Sequence, residues 1–493
     1  MRVRFLSLTL VAALAACGGS NNTPTNTGGG ALTARTLQGA ITAKTATSVT
    51  VNGVTTDDSA NPNITFDDKA NPSHDDLQVG QVVTVVIDDK GKTTEIRHEP
   101  EVRGQPDDAP TASTLTIAGQ TVRVDDSTHF DDNNASRLAG ITAADHVRVS
   151  GYPDDKGGIR ATRIEKLPSS DTEFETRGTV SAVNASTSTF TLTTGTGATY
   201  TVTVTGALPS GVVNGAFVEV KSATKPAASG ATITGATVRV EDNTLGGEGH
   251  EAEVEGIVAA GGTPSAFTIR GLPVTTSTNT KWVGGAPADL IPGVKVEAEG
   301  KLASGVLQAT KVVFKDSLRF QGLVSAVTLA SATDTKNGTF TMLGGTLKVH
   351  VSAVTEFDSG LIDLSSLTAQ NVEVRGYQTV AGAAATGAGA NDIVATRIKI
   401  GTGGGGGGGA STRVVIQGPI SGLDATAKTF QILGYSINAA SASSLSRDDT
   451  TPTSDVFAAG LANGMVLKAR GDSAAALVGT TLTAKEIELE DDK

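Results

Sequence analysis

Arg177-Gly178-Thr179-Val180-Ser181-Ala182-Val183 opens a stretch of chain that reads as one strand after another. A polar Asn/Ser/Thr turn separates it from Thr189-Phe190-Thr191-Leu192-Thr193, and Tyr200-Thr201-Val202-Thr203-Val204 follows. Phe217-Val218-Glu219-Val220-Lys221 and Ala236-Thr237-Val238-Arg239-Val240-Glu241 complete a set of five. Apolar and polar residues alternate in each, which turns one face inward and the other to water, as in half-buried strands. Elsewhere a short Leu/Ala/Asp stretch falls between the third and fourth strands, as in Ser136-Arg137-Leu138-Ala139-Gly140, Ala288-Asp289-Leu290-Ile291-Pro292-Gly293 and Leu364-Ser365-Ser366-Leu367. Each reads as one turn of helix. Three strands, a short helix and two strands is the order of an OB-like five-stranded Greek-key barrel. An SH3-like barrel or a small two-layer sandwich is the alternative.

The opening phrase recurs. A glycine starting a strand stands at Gly39, Gly104, Gly178, Gly256, Gly322 and Gly418, spaced 65, 74, 78, 66 and 96 residues apart. Such self-similarity marks one supersecondary unit copied along the chain. The periods exceed a solenoid repeat and suit a small complete β-domain. The glycine is expected to absorb the sharp bend of a first strand shared by both halves of a small barrel. The fold class is therefore all-β, a tandem array of small five-stranded OB-like barrels. The modules are expected at 36–98, 99–168, 174–242, 251–316, 317–400 and 413–489. At this size each is near the lower limit for folding unaided, so neighbouring modules should share interfaces.

Further phrases accompany the glycine. A Thr-x-aromatic step stands at Thr128-His129-Phe130, Thr280-Lys281-Trp282 and Thr355-Glu356-Phe357, with Thr65-Phe66 lacking the spacer. A fourth-strand phrase reads His146-Val147-Arg148-Val149-Ser150-Gly151, Val294-Lys295-Val296-Glu297 and Asn371-Val372-Glu373-Val374-Arg375-Gly376. A closing phrase reads Ala161-Thr162-Arg163-Ile164, Ala309-Thr310-Lys311-Val312 and Ala395-Thr396-Arg397-Ile398. In these the chain resembles bacterial lipoproteins that carry tandem copies of domain of unknown function 5666. The resemblance is good over about residues 36–400 and weak over 413–489, where the Thr-x-aromatic step is missing. It implies no catalytic residues.

The N-terminus carries its own signal. Arg2 and Arg4 precede an apolar run from Phe5 to Ala16 that ends in Leu14-Ala15-Ala16-Cys17. A charged start, a short apolar stretch and small residues before a cut site make a secretory signal, here 1–16, too short to stay in a bilayer. Cys17 is the chain's one cysteine. Leu-Ala-Ala-Cys resembles the lipobox of bacterial lipoproteins, which implies lipidation of Cys17 and a membrane anchor through the lipid. Gly18 and Gly19 after it, with no Asp, resemble the pattern sent on to the outer membrane of Gram-negative bacteria. Residues 17–35 are rich in Gly, Asn, Thr and Ser and read as a flexible tether. Residues 401–412, with seven consecutive glycines from Gly403 to Gly409, read as a linker before the last module. They match GxGxxG only as any polyglycine does, without the strand and helix a dinucleotide site needs.

No catalytic or cofactor-binding constellation stands out. Asp57-Asp58, Asp67-Asp68, Asp75-Asp76, Asp88-Asp89, Asp125-Asp126, Asp131-Asp132 and Asp154-Asp155 crowd the first two modules. Two of these pairs precede Lys-Gly between strands four and five, where hairpin turns want Asp and Gly. Turn chemistry is the expectation; a calcium site at a loop tip, which needs six or more oxygens, stays open. The histidines, His74, His98, His129, His146, His250 and His350, lack zinc spacing. Ser222-Ala223-Thr224-Lys225 matches Ser-x-x-Lys without its companion motifs. Phe66, Phe130, Trp282 and Phe357 are read as core plugs rather than stacking platforms. A net charge of −12 disfavours nucleic acid. The expected function is a non-enzymatic, lipid-anchored envelope protein, a scaffold or adhesion body with a protein partner. The alternative is a periplasmic or surface receptor for a ligand or divalent cation.

Overall fold

The computed structural model describes residues 34–489 apart from 58–61, 67–68, 70, 112–113, 125–127, 132–136, 227–228, 242–244, 284–286, 288–289, 316–317, 353–354, 359, 379–390, 402–412, 447–455, 460 and 462. The expected lipidation site Cys17 lies outside the described residues.

The third module shows how the strand order closes. Its first strand, Phe174–Asn184, pairs antiparallel with Thr189–Thr193 on one side and with Phe217–Ser222 on the other. The second strand pairs with the third, Thr199–Val204. The third runs parallel to the fifth, Thr232–Val240, which pairs antiparallel with the fourth. The circuit 1-2-3-5-4 is the OB-like barrel. Alternation has its expected consequence: Phe190, Leu192, Tyr200, Val202, Val218 and Val220 fill the interior. The full circuit recurs in barrel 5, whereas in barrels 2 and 4 no ladder joins the first and second strands among the described residues. In barrel 1 the third strand, Val54–Asp57, pairs with the second alone.

The recurring phrases have separate physical causes. The Thr-x-aromatic step is a short extra strand lying parallel to the fifth, as His129–Phe130, Lys281–Val283 and Glu356–Phe357 do. Its threonine hydroxyl donates to the alanine carbonyl of the closing phrase: Thr128 to Ala161 at 2.9 Å, Thr280 to Ala309 at 2.7 Å and Thr355 to Ala395 at 2.8 Å. The following threonine is a β-bulge, skipped in the strand register opposite Ser150/Gly151, Glu299/Gly300 and Arg375/Gly376. The bulge brings the fifth strand's backbone onto the fourth. A Cβ on Gly300 or Gly376 would lie 2.0 Å from a carbonyl oxygen, so only glycine fits. After the extra strand comes a single 3₁₀ turn in several barrels, His74–Asp76, Arg137–Gly140 and Leu364–Leu367.

Two expectations need correction. The first strands do shift register, at Ile41/Ala43, Ser181/Asn184 and Val324/Ala326, but just after the recurring glycines, of which only Gly104 has a positive φ. The glycines make room: a Cβ on Gly178 would lie 2.4 Å from the Thr193 carbonyl oxygen, and one on Gly418 2.6 Å from a Leu318 methyl. The aromatic plugs also divide. Phe66 and Trp282 are buried, while Phe130 and Phe357 are half-buried and pack against their barrels' cores, the Arg137 guanidinium covering Phe130 at 4.9 Å. Other rings that fill the barrels sit on the first three strands, as Phe190, Tyr200, Phe320, Phe340 and Phe430 do, or on the fifth, as Phe314 does.

The barrels join through their first strands. The N-terminal half of each first strand pairs with its own fourth strand and has a second, free edge, and that edge takes another barrel. Barrel 2 meets barrel 3 antiparallel at Arg103↔Glu175, and barrel 5 meets barrel 6 through Arg319↔Gln417, Phe320↔Ile416 and Gln321↔Val415. Barrel 1 does not pair its first strand with a sequence neighbour. Its strand Arg35–Lys44 runs parallel to Glu251–Ile257 of barrel 4, from Arg35↔Glu251 to Gln38↔Val254. Three edge-to-edge pairs leave no first strand open among the described residues, which removes a common template for aggregation.

Candidate functional site

The charged residues that the alternating strands turn outward are covered where barrels meet. Tyr152, on the fourth strand of barrel 2, is fully buried among Ala40 and Val82 of barrel 1 and Ile257 of barrel 4. Its hydroxyl donates to Glu255 Oε1 at 2.6 Å and accepts from the Ala40 amide at 2.8 Å. Arg270 and Lys295 stand 5.5 and 5.2 Å from the ring centre, in cation–π range. One phenol therefore touches three barrels.

An ionic seam extends from it. Glu255 pairs with Lys295 at 2.8 Å and Lys315 at 3.4 Å, and Lys315 also pairs with Glu297. Arg270 donates to the Gly151 carbonyl at 2.8 Å and pairs with Glu101 at 2.8 Å. Glu101 reaches Arg177 of barrel 3 at 3.6 Å, and Arg177 reaches Glu219 at 3.1 Å. Arg239 joins Glu219 at 2.9 Å to Glu99 at 2.6 Å. Barrels 2 to 4 thus meet in one set of mostly buried charges, which barrel 1 reaches through Arg97, 3.5 Å from Glu99.

The titration of these groups follows from who faces whom. Burial pushes the Glu255 carboxyl up, but the Lys295 and Lys315 ammoniums outweigh it and hold the group at about 2. Burial alone would likewise raise Glu165, and Arg148 and Arg163 bring it to about 2. Glu253 behaves oppositely: burial and the nearby Glu297 and Glu299 push it up to about 9. Burial and Glu219 raise Glu175 well above the carboxylate range, so it is held protonated beside an ionised neighbour. Burial, with Arg163, Arg137 and Lys295 nearby, lowers His129 to about 4.

The expected site residues are placed apart from this seam. Asp88 Oδ1 accepts from the amides of Lys90 and Lys92, both at 2.9 Å. Asp154 Oδ1 accepts from those of Lys156 at 2.9 Å and Gly158 at 2.8 Å. Both carboxylates close their own hairpin turns. Asp58, Asp67, Asp68, Asp125, Asp126 and Asp132 lie outside the described residues. No group of three His, Cys, Asp or Glu among the described residues is placed to hold a metal ion. Five of the histidines have hydrogen-bond partners: His74 with the Thr45 carbonyl, His98 with that of Val82, His146 with that of Glu173, His250 with Thr36 and His350 with Asp392. Ser222 donates to the Thr224 carbonyl, while Lys225 reaches across to that of Pro106, so the Ser-x-x-Lys match brings together no reacting pair. A cleft of about 90 Å³ at the seam of barrels 1 and 4 is lined by Arg35, Glu253, Glu299 and Lys301 among others. That is well below the few hundred Å³ of small-molecule sites.

Sequence reasoning missed the seam. Its trace is present in Glu175-x-Arg177, Glu219-x-Lys221, Arg239-x-Glu241 and Glu253-x-Glu255: paired charges on strand faces that would otherwise look solvated.

Two stretches, residues 107–165 and 255–313, match the family described as a domain of unknown function (DUF5666). They fall in barrels 2 and 4, and each runs through the Thr-x-aromatic step to the closing Ala-Thr strand. The chain therefore carries tandem copies of that domain. No curated protein matches the chain. No helix among the described residues is long and apolar enough to cross a membrane.

Proposed function

We propose that this is a non-enzymatic, lipid-anchored protein of the bacterial cell envelope, a scaffold or adhesion body that works through protein contacts. The observation that carries the reading is the seam from Lys315 to Glu99, where carboxylates and cations of barrels 2 to 4 face one another across barrel boundaries and Arg97 of barrel 1 pairs with Glu99. Residue types able to do acid–base or ligand chemistry are spent here on joining barrels into a fixed body. The anchor is supported by Arg2, Arg4, the apolar run and Leu14-Ala15-Ala16-Cys17, and the tether up to Arg35 would hold the barrels clear of the bilayer. The outer membrane is the proposed location, from Gly18 and Gly19 after the cysteine.

Metabolic labelling with a radioactive fatty acid tests the anchor. Wild type should be labelled and partition with membranes, and Cys17→Ser should be unlabelled and released. Labelled Cys17→Ser protein, or wild type shed freely, overturns it. Calorimetric titration with calcium and magnesium tests the scaffold reading against the receptor reading: flat traces are expected, and saturable heat abolished by substituting one acidic loop would favour the receptor.

A further inference from the structure

The junction of barrels 5 and 6 differs from the ionic seam. It is apolar at its centre, with Phe320 against Ile416, and Tyr435 of barrel 6 lies 6.2 Å from Phe320 and shares a hydrogen bond with Thr346 of barrel 5 at 2.8 Å. Leu318, Phe320, Ile416, Ile432 and Tyr435 belong to one continuous core, which neither barrel completes alone. The covalent route between the barrels is far longer than this junction requires. Val415 lies opposite Gln321, Gln321 opposite Glu373, and Glu373 opposite Lys399, so the strands leaving barrel 5 and entering barrel 6 stand three strand spacings apart. That is roughly 14 Å. The two strands are antiparallel, so Gly401 and Arg413 lie at the same end of the sheet. Eleven residues, 402–412, separate them. Such a length of chain reaches up to roughly 40 Å.

We propose that the barrel 5 edge Arg319–Gln321, with its share of the joint core, is a docking surface for barrel 6 of a second copy of this chain. Docking in trans makes the same backbone pairs and buries the same core as docking in cis, so the two differ only in connection. The long connection keeps barrel 6 at a high but finite effective concentration, on the order of mM, and a second copy competes as protein concentration rises. Reciprocal exchange yields a closed dimer with no edge left unpaired. The inference does not depend on the lipid anchor.

Opposed residues in an antiparallel pair have the Cα spacing a disulfide needs, and Cys17 is the one native cysteine. Full-length chains carrying Cys17→Ser with either Arg319→Cys or Gln417→Cys are mixed under mild oxidation. Only docking in trans brings the two thiols together. A disulfide-linked one-to-one product that increases with concentration is expected; its absence overturns the proposal. As a second measurement, deleting 402–411 leaves Thr412 as the only connecting residue, with a reach under about 8 Å, too short for docking in cis. Light scattering should then give twice the mass of one chain, and a single-chain mass overturns the proposal.

Discussion

Tyr152 shows how much one side chain can hold. Its hydroxyl satisfies the buried Ala40 amide and donates to the buried Glu255 carboxylate, so its loss leaves one donor orphaned and one charge less solvated. Tyr152→Phe keeps the ring and its packing and removes only these bonds. The expected cost is about 1–3 kcal/mol, read from urea melts of the full chain. An unchanged midpoint would mean that the hydroxyl bonds contribute no net stability. The charges around it set a pH dependence with two signs. Glu255, held near 2 in the folded chain against an ordinary 4.5, contributes stability that is present above 4.5 and lost as pH falls toward 2. Glu253, pushed up to about 9, contributes stability that is present below 4.5 and lost as pH rises toward 9. Glu255→Gln should flatten the acid side of a plot of melting temperature against pH, and Glu253→Gln should flatten the fall between 4.5 and 9.

At the scale of the element, the bulge in the fifth strand, opposite the glycine of the fourth, explains three phrases at once. The extra threonine forces the fifth strand against the fourth, glycine makes the room, and the alanine carbonyl accepts from the Thr-x-aromatic step. Gly376→Val puts a branched side chain where even a Cβ lies 2.0 Å from the Val394 carbonyl oxygen. It should destabilise barrel 5 by roughly 1–3 kcal/mol, and hydrogen exchange should rise first over Asn371–Gln378 and Ile393–Ile400. Uniform exchange across the chain would show that the bulge is not a local lock. The half-buried Phe130 and Phe357 belong to the same element. Lying beside the fifth strand, they pack against the core but are less buried than Phe66 and Trp282.

For the whole molecule, the consequence is a division between barrels 1–4 and barrels 5–6. The first four meet at Tyr152 and the ionic seam; the last two share one core; Lys156 and Glu356, both well exposed, form an ion pair between the groups. An exposed pair of that kind contributes at most about 1 kcal/mol. Calorimetry should therefore resolve two transitions, and Glu255→Gln should lower one of them while leaving the other in place. A single transition that moves as a unit would show that the two groups are coupled. A simple string of nearest neighbours, the expectation from the repeats, predicts no special link between barrels 1 and 4, yet their first strands are paired.

Several things were legible in the order of residues. The alternation from Thr179 to Glu241 determined the strands, their number and their inward faces, because side chains in a strand have a period of two and local burial follows it. The Asp-Asp-Lys-Gly turns were equally readable, since a carboxylate closing its own hairpin uses only neighbours in sequence. Which barrel takes which free edge was decided in three dimensions. Glu255 and Arg177 look like solvated charges on half-exposed strands, and nothing within a few residues of them reveals that Lys295 or Glu101 covers them. Likewise the parallel pairing of Arg35 with Glu251 joins residues more than two hundred positions apart, and backbone hydrogen bonds carry no side-chain pattern by which to foresee it. Local periodicity determined the barrels; the contest among their open edges, settled by charge and by shared apolar core, determined the molecule.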